Sequence, residues 1–302
     1  MTTEEQATRS TATPAHVRPL AAVGAFARGV IGRSARDDIT AIGSQFAYNA
    51  LLATVPFLFI VISVIGLLAS PDTFERSVIE GDASFSDDLQ NTLESALRSA
   101  TQNTREAAVF LVIGIAGGLY LSANVMGALV GGLDRARGVE HRRWGHGRLV
   151  ALGFAAGASA LVVATSLAMV GGPRMINAIA EEVGADPDIG QRIITPLGAG
   201  SLLVFVLFLY LFGPNAPRRR LLAELPGAVA AVALWVGASR LFSLYVDNFD
   251  SYNRVYGVLG FVVVYLIFLF LTGVVILFGA EINAQLQARR DAAQEREFAE
   301  GM

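Results

Sequence analysis

Six long apolar stretches dominate the hydropathy pattern of this chain. Each is about as long as a helix that crosses the hydrocarbon core of a bilayer, which needs roughly 20 residues. Together they contain one Asp, Glu, Lys, Arg or His, which is Arg240. Lipid offers no partner to backbone polar groups, so such segments must be helical. The pattern predicts an all-α polytopic membrane protein with six transmembrane helices, at 41–69, 107–133, 149–172, 195–213, 225–245 and 256–280.

Amphipathic patterns outside these stretches predict interfacial helices. Leu20–Arg36 places an apolar stripe opposite three arginines, which is typical of a helix lying flat at the inner interface. A cytoplasmic cap packed on the spans explains the same pattern equally well. Leucines at every fourth residue from Leu89 to Leu97 predict a short outer helix, and Met175–Ile194 predicts a second one.

Composition supports a single membrane domain. The chain is 53% hydrophobic and 16% charged, whereas soluble domains carry about 25% charged residues. We therefore expect a disordered tail at 1–19, a cytoplasmic amphipathic helix at 20–38, a membrane domain at 39–280 and a cytoplasmic tail at 281–302. The first stretch should act as the targeting signal, because 1–19 lacks the apolar core of a signal peptide.

Arginine distribution predicts the orientation. With the N-terminus inside, the inner segments hold 16 arginines and the outer segments hold 6. Basic residues accumulate on the cytoplasmic side of inserted helices. Both termini are therefore predicted to be cytoplasmic, in the inner (plasma) membrane of a bacterium.

Polar residues inside the spans are the candidate functional residues. Gln45 and Asn49 share one helix face, Pro56 should kink the same helix, and Asn124 lies near the middle of the second span. They either line a cavity open to the cytoplasm or hydrogen-bond neighbouring helices. Arg240, the one charge within a span, either snorkels outward or pairs with Asp247 or Asp250.

Glycines at four-residue spacing predict close helix contacts in spans two and three. Such spacing fits contacts within one chain and self-association of two chains equally well. The three pairs are Gly114 with Gly118, Gly127 with Gly131, and Gly153 with Gly157.

The sequence predicts no catalytic or metal-binding residues and no cofactor. Cysteine is absent, which excludes thiolate metal sites and a cysteine nucleophile. His141 and His146 lie in an arginine-rich inner loop without a set of carboxylates to complete a metal site. The net charge of −3 argues against a nucleic acid partner, and membrane lipids are the expected partners.

Several short strings resemble the YihY/BrkB family of bacterial inner-membrane proteins, and the resemblance covers roughly residues 30–287. The strings begin at Gln45 (QFAYNALLATVP), Gly213 (GPNAPRRR), Leu225 (LPGA), Leu244 (LYVDNFDSY), Tyr256 (YGVLG) and Gly279 (GAEIN). The resemblance implies a six-span protein with cytoplasmic termini. It implies little about activity, because some members carry a ribonuclease label while the role of the family is unsettled.

Three functions follow as hypotheses. The first is non-enzymatic transport or organisation of a lipid or small solute in envelope maintenance. The second is a membrane scaffold for envelope proteins. The third, a membrane-bound ribonuclease, is the weakest, because RNA hydrolysis needs clustered acids or a histidine acid–base pair.

Overall fold

The computed structural model describes residues 19–68, 104–182, 189–217, 220–247 and 250–300. Within these ranges the protein is all-helical, with no strand. Its seven helices are α1 (Pro19–Arg36), α2 (Ile39–Leu68), α3 (Thr104–Ala136), α4 (Trp144–Glu182), α5 (Ile189–Phe212), α6 (Leu221–Asp247) and α7 (Asp250–Glu300).

The six apolar stretches fall almost entirely within α2 to α7, one stretch to each helix. Two boundaries differ from the predictions. The second outer helix, expected from Met175, is not separate, because α4 continues without a break to Glu182. The helix that contains the last stretch does not stop at Ala280, because α7 continues to Glu300. The outer helix expected around Leu89–Leu97 and the tail at 1–18 lie outside the described residues.

Three helical segments in the described part of the chain are long and apolar enough to cross a membrane. They are Gly114–Ala136, Leu221–Leu244 and Val262–Glu300, and Leu197–Phe212 is a shorter apolar helix. The protein is therefore an α-helical membrane protein with apolar helices of bilayer length.

The helices of the membrane domain close into one bundle. Each of α2 to α6 packs against the next helix along the chain, and α7 returns to pack on α2 and also contacts α3. The core lies where these helices meet, and its most buried side chains come from α3, α5 and α7, among them Leu129, Leu209 and Leu277. This arrangement leaves α3 between α2 and α4.

The N-terminal helix packs along the continuation of α7 beyond the apolar stretch. The Arg33 Nε donates to Glu281 Oε2 at 3.2 Å, Gly29 lies against Gln285, and the Arg289 guanidinium lies 4.8 Å from the Phe26 ring centre. Because residue numbers fall along α1 as they rise along α7, the two helices run antiparallel. The segment therefore packs on the protein through the end of α7.

Glu281 lies at the base of this helix pair, one residue beyond the predicted end of the last span. The pKa of its carboxyl is raised to about 7, because burial and the neighbouring Asp37 raise it by more than Arg33 lowers it. The carboxyl therefore has an environment unlike that of a solvated surface glutamate.

Candidate functional site

A cavity of about 460 Å³ opens where α2, α3, the following loop and the start of α4 meet. Its volume is within the roughly 300–1,000 Å³ that small-molecule sites occupy. Lining residues reach from Ala123 to Arg135 along α3, which is about 18 Å at the rise of an α-helix. The lining residues are Ile42, Gln45, Asn49, Ala123, Asn124, Gly127, Ala128, Val130, Gly131, Gly132, Asp134, Arg135, His141, Arg142, Gly147, Arg148 and Ala151.

Three of the four predicted polar residues line this one cavity. Gln45 and Asn49 reach it from α2, and Asn124 reaches it from α3. Arg240 does not line it and is exposed on α6. Asp247 and Asp250 are the predicted partners of Arg240, and their side chains are not among those that the structure describes. Pro56 lies buried inside α2. A side-chain carbon on Gly117 of α3 would lie 3.8 Å from the Pro56 Cβ.

Arg148 connects α4 to α3 at the wall of the cavity. Its Nη1 donates to Asn124 Oδ1 at 3.1 Å, and its Nη2 donates to the Tyr120 carbonyl at 3.3 Å. The guanidinium also lies 4.5 Å from the centre of the Tyr120 ring, which is within the range of a cation–π contact. These contacts hold the charged group in one place beside Asn124.

A second arginine, Arg142, connects the loop after α3 to the end of α5. Its guanidinium donates to the carbonyls of Gly213 and Pro214, the latter at 2.9 Å. Its Nη2 also donates to the carbonyl of Phe212, the last residue of α5, at 3.4 Å. Carbonyls at a helix C-terminus lack intrahelical partners and carry partial negative charge, so this cation stabilises the end of α5. The loop turns at Gly138, whose φ of 64° is a conformation that glycine adopts without strain.

Asp134 is the acidic residue of the cavity, and it is 2% exposed. Its Oδ1 accepts the backbone N–H of Asn215 at 2.7 Å, and its Oδ2 lies 3.1 Å from His141 Nδ1. Both oxygens therefore have partners. The carboxylate joins the end of α3 to the segment after α5 and orients an imidazole that is itself half exposed.

The balance of charge in the lining is positive. Three guanidiniums, those of Arg135, Arg142 and Arg148, surround the cavity against the one carboxylate of Asp134. Arg135 is exposed, and its guanidinium has no hydrogen-bond partner among the described residues. Concave sites lined by one sign of charge concentrate counterions, so the electrostatics favour an anionic ligand.

A buried polar network lies beside the cavity, where the end of α3 and the start of α6 meet the middle of α7. Arg137 Nη2 is 2.7 Å from Glu224 Oε1, with side chains 7% and 3% exposed. Asn283 Nδ2 donates to Glu224 Oε2 at 3.0 Å, and Asn283 Oδ1 accepts the Gly227 N–H at 2.7 Å. This network holds three helices together.

No local pattern in the sequence indicates that Asp134, Arg137, Glu224 and Asn283 hydrogen-bond to distant parts of the chain. One signal could have found some of them, because strings that carried the family resemblance converge here. Gly213-Pro-Asn meets Arg142 and Asp134, and the string from Leu225 meets the string from Gly279. Short strings far apart in sequence therefore mark one end of the bundle.

Close approaches of helices occur at other glycines than those predicted. Gly43 meets Gly273 between α2 and α7, and Gly227 meets Gly279 between α6 and α7. Of the predicted set, a side-chain carbon on Gly127, Gly153 or Gly157 would meet no described atom within 4 Å, and one on Gly131 would meet His141 at 3.8 Å. Gly114 and Gly118 are buried. Gly127 instead lines the cavity, and Gly153 and Gly157 face open space among the described residues.

Three bacterial membrane or ribonuclease-like proteins are similar to this chain. It is 28% identical over 278 residues to the ribonuclease-like protein YfkH of Bacillus subtilis, which covers 90% of this chain and 99% of the relative. It is 29% identical to a UPF0761 membrane protein of Aromatoleum aromaticum, covering 89% of this chain and 65% of that relative. A UPF0761 membrane protein of Alteromonas mediterranea is 26% identical, with 85% of each protein covered.

No solved structure matches the chain. The sequence model of the family described as virulence factor BrkB matches residues 30–301, which is nearly the whole chain and includes every helix that lines the cavity. The chain belongs to the virulence factor BrkB family.

Proposed function

We propose that this protein crosses the bacterial inner membrane six times, with both termini in the cytoplasm, and moves or organises a lipid or small solute there. The cavity is the observation that carries the proposal. It combines a ligand-sized volume, amides from two helices and an excess of guanidiniums. Such a combination of shape and convergent polar groups is typical of binding sites.

The predicted topology supports a cytoplasmic opening for the cavity. His141, Arg142 and Arg148 belong to the arginine-rich segment 134–148, which the positive-inside rule assigns to the cytoplasm. Gln45 and Asn49 lie in the first turns of α2, at the end that follows the N-terminal helix. A substrate would therefore enter from the cytoplasm or from the inner leaflet.

Reconstitution into liposomes tests this function. Protein in vesicles that contain a fluorescent phospholipid should raise the rate at which the probe crosses the bilayer, measured by quenching from outside. Asn49→Leu places an apolar side chain in the cavity and should lower that rate several-fold. Arg240→Gln, outside the cavity, should leave it unchanged. A rate equal to that of empty liposomes would contradict the proposal for lipids.

A scaffold is the second candidate, and one observation favours it. The helix pair formed by α1 and the end of α7 carries an exposed surface from residue 288 to residue 300, which a partner protein could contact. The liposome assay separates the two candidates, because a scaffold needs no translocation.

The relative from Bacillus subtilis is named a ribonuclease-like protein, and that name supports the ribonuclease alternative. The structure adds the Asp134–His141 pair, in which a carboxylate orients an imidazole. General acid–base cleavage of RNA needs a second proton-transfer group or a metal. Within the described ranges no three His, Cys, Asp or Glu residues form a metal-binding group, so we rank this function third.

A further inference from the structure

Arg135 and Arg148 stand one above the other along the cavity wall that α3 and α4 form. Arg148 is fixed beside Asn124 by its contacts to α3, while the exposed Arg135 lies about 16 Å further along α3 at the helical rise. The cavity thus presents a positioned guanidinium deep inside and a second one near its mouth. Guanidiniums are the side chains best suited to hold phosphate oxygens.

Asp134 does not cancel this charge for a bound anion. Its two carboxylate oxygens already accept from Asn215 and His141, and it is buried in the wall rather than exposed in the cavity. Arg142 adds a third positive charge, although its donors are directed at the carbonyls that end α5. An anion entering the cavity therefore meets more positive than negative charge.

The surface that continues from the cavity is apolar. Tyr120, whose ring contacts Arg148, is 61% exposed, and Leu119, Ile115 and Val112 further along α3 are 54%, 43% and 65% exposed. From Asn124 to Val112 the helix rises about 18 Å, which exceeds half of the roughly 30 Å hydrocarbon core. A charged recess therefore adjoins a strip long enough for an acyl chain.

We propose that the cavity binds the phosphate of an anionic membrane phospholipid beside Arg148, with Arg135 adding positive charge at the mouth and an acyl chain along the exposed face of α3. This inference rests on the proposed function and names its substrate class. A free phosphate would satisfy the guanidiniums equally well but would make no use of the apolar strip. The lipid accounts for both features.

Binding to the purified full-length protein in detergent tests the inference. Short-chain phosphatidylglycerol, diacylglycerol with the same chains, and inorganic phosphate are titrated separately, and bound ligand is measured by native mass spectrometry. We expect phosphatidylglycerol to bind about tenfold or more tightly than either of the other two, because charge-assisted hydrogen bonds and apolar burial act together. Equal binding of phosphatidylglycerol and diacylglycerol would overturn the anion site. Phosphate binding as tight as that of phosphatidylglycerol would overturn the lipid assignment.

Variants test the assignment of residues. Arg148→Gln should weaken phosphatidylglycerol binding about tenfold and leave diacylglycerol binding unchanged. Arg135→Gln should weaken phosphatidylglycerol binding by roughly twofold to threefold, because Arg135 acts on the phosphate at a distance. Arg290→Gln, on the exposed end of α7, is the matched control and should have no effect. If Arg148→Gln does not fold, the phosphatidylglycerol affinity of the Arg135→Gln variant is the deciding measurement. Unchanged phosphatidylglycerol affinity in Arg135→Gln would then overturn the proposal.

The outcomes also separate this inference from the proposed function. Binding in detergent needs no transport, so arginine-dependent phosphatidylglycerol binding without translocation in liposomes supports this site and contradicts transport. Translocation in liposomes together with no preference for phosphate-bearing lipid supports transport and overturns this site.

Discussion

Arg137→Ala is expected to destabilise the protein by about 3–5 kcal/mol, because it leaves the Glu224 carboxylate buried without its ion-pair partner. Glu224 is 2% exposed, so water cannot replace the guanidinium. The same substitution removes the donor to the Tyr210 carbonyl, which separates the ends of α3 and α5. The change should appear as a large fall in the thermal midpoint of the detergent-purified protein and in its yield from membranes.

Two variants serve as controls for this prediction. Arg135→Ala removes an exposed arginine two residues earlier on α3 and should change stability by about 0.5 kcal/mol or less. The double variant Arg137→Leu with Glu224→Leu removes both charges and should recover part of the loss, since apolar replacement of a buried pair is often tolerated. A thermal midpoint for Arg137→Ala equal to that of Arg135→Ala would show that the buried pair contributes nothing.

Gly279→Leu is expected to destroy the contact between α6 and α7. A side-chain carbon at this position would lie 2.5 Å from the Gly227 carbonyl oxygen and 2.7 Å from Ala231 Cβ, closer than real side-chain carbons come. The backbone atoms in the way cannot rotate aside, so the helices must separate. Overpacking costs about 1–3 kcal/mol where side chains can adjust, and here the cost should exceed that range.

The matched control for this substitution is Gly237→Leu. Gly237 lies on α6, the helix that Gly279 of α7 packs against, but a side-chain carbon there would meet no described atom within 4 Å. Both variants are compared by thermal unfolding in detergent. A thermal midpoint that falls equally in the two variants would mean that leucine on a helix of the bundle, rather than the crossing at Gly279, causes the loss.

The helices of the membrane domain could be predicted from sequence because a bilayer demands long uncharged runs. The six predicted stretches lie in six helices, and most bounds agree within a few residues, as for 41–69 against Ile39–Leu68. The helices extend beyond the predicted spans where polar sequence continues a helix outside the apolar run. Glu281–Glu300 extends α7 because nothing in it stops a helix and α1 packs on its first turns.

The cavity could be predicted only in part. Gln45 and Asn49 share a helix face, so their common direction follows from spacing alone. Asn124 faces the same cavity because of the way α2 packs on α3. No local sequence pattern encodes that packing. The positive-inside rule already accounts for the arginines of the inner segment 134–148, such as Arg135. Their spacing does not indicate that Arg142 contacts the end of α5 or that Arg148 contacts α3.

The packing glycines show why motif spacing was a poor guide. A pair four residues apart on one helix predicts a contact, yet the closest crossings join single glycines on different helices, such as Gly43 with Gly273. Whether a glycine meets a neighbouring backbone is decided by the partner helix and not by its own helix. Only the tertiary arrangement supplies that information.

Cysteine labelling tests the central claim, that a water-filled polar cavity opens toward the cytoplasm. The chain has no cysteine, so single variants Asn49→Cys and Asn124→Cys carry one thiol each, and Ala155→Cys provides a control at a position 7% exposed. A membrane-impermeant maleimide should label Asn49→Cys and Asn124→Cys in inside-out vesicles only, and should leave Ala155→Cys unlabelled. Labelling of the two cavity thiols in right-side-out vesicles, or reactivity no higher than that of Ala155→Cys, would contradict the account.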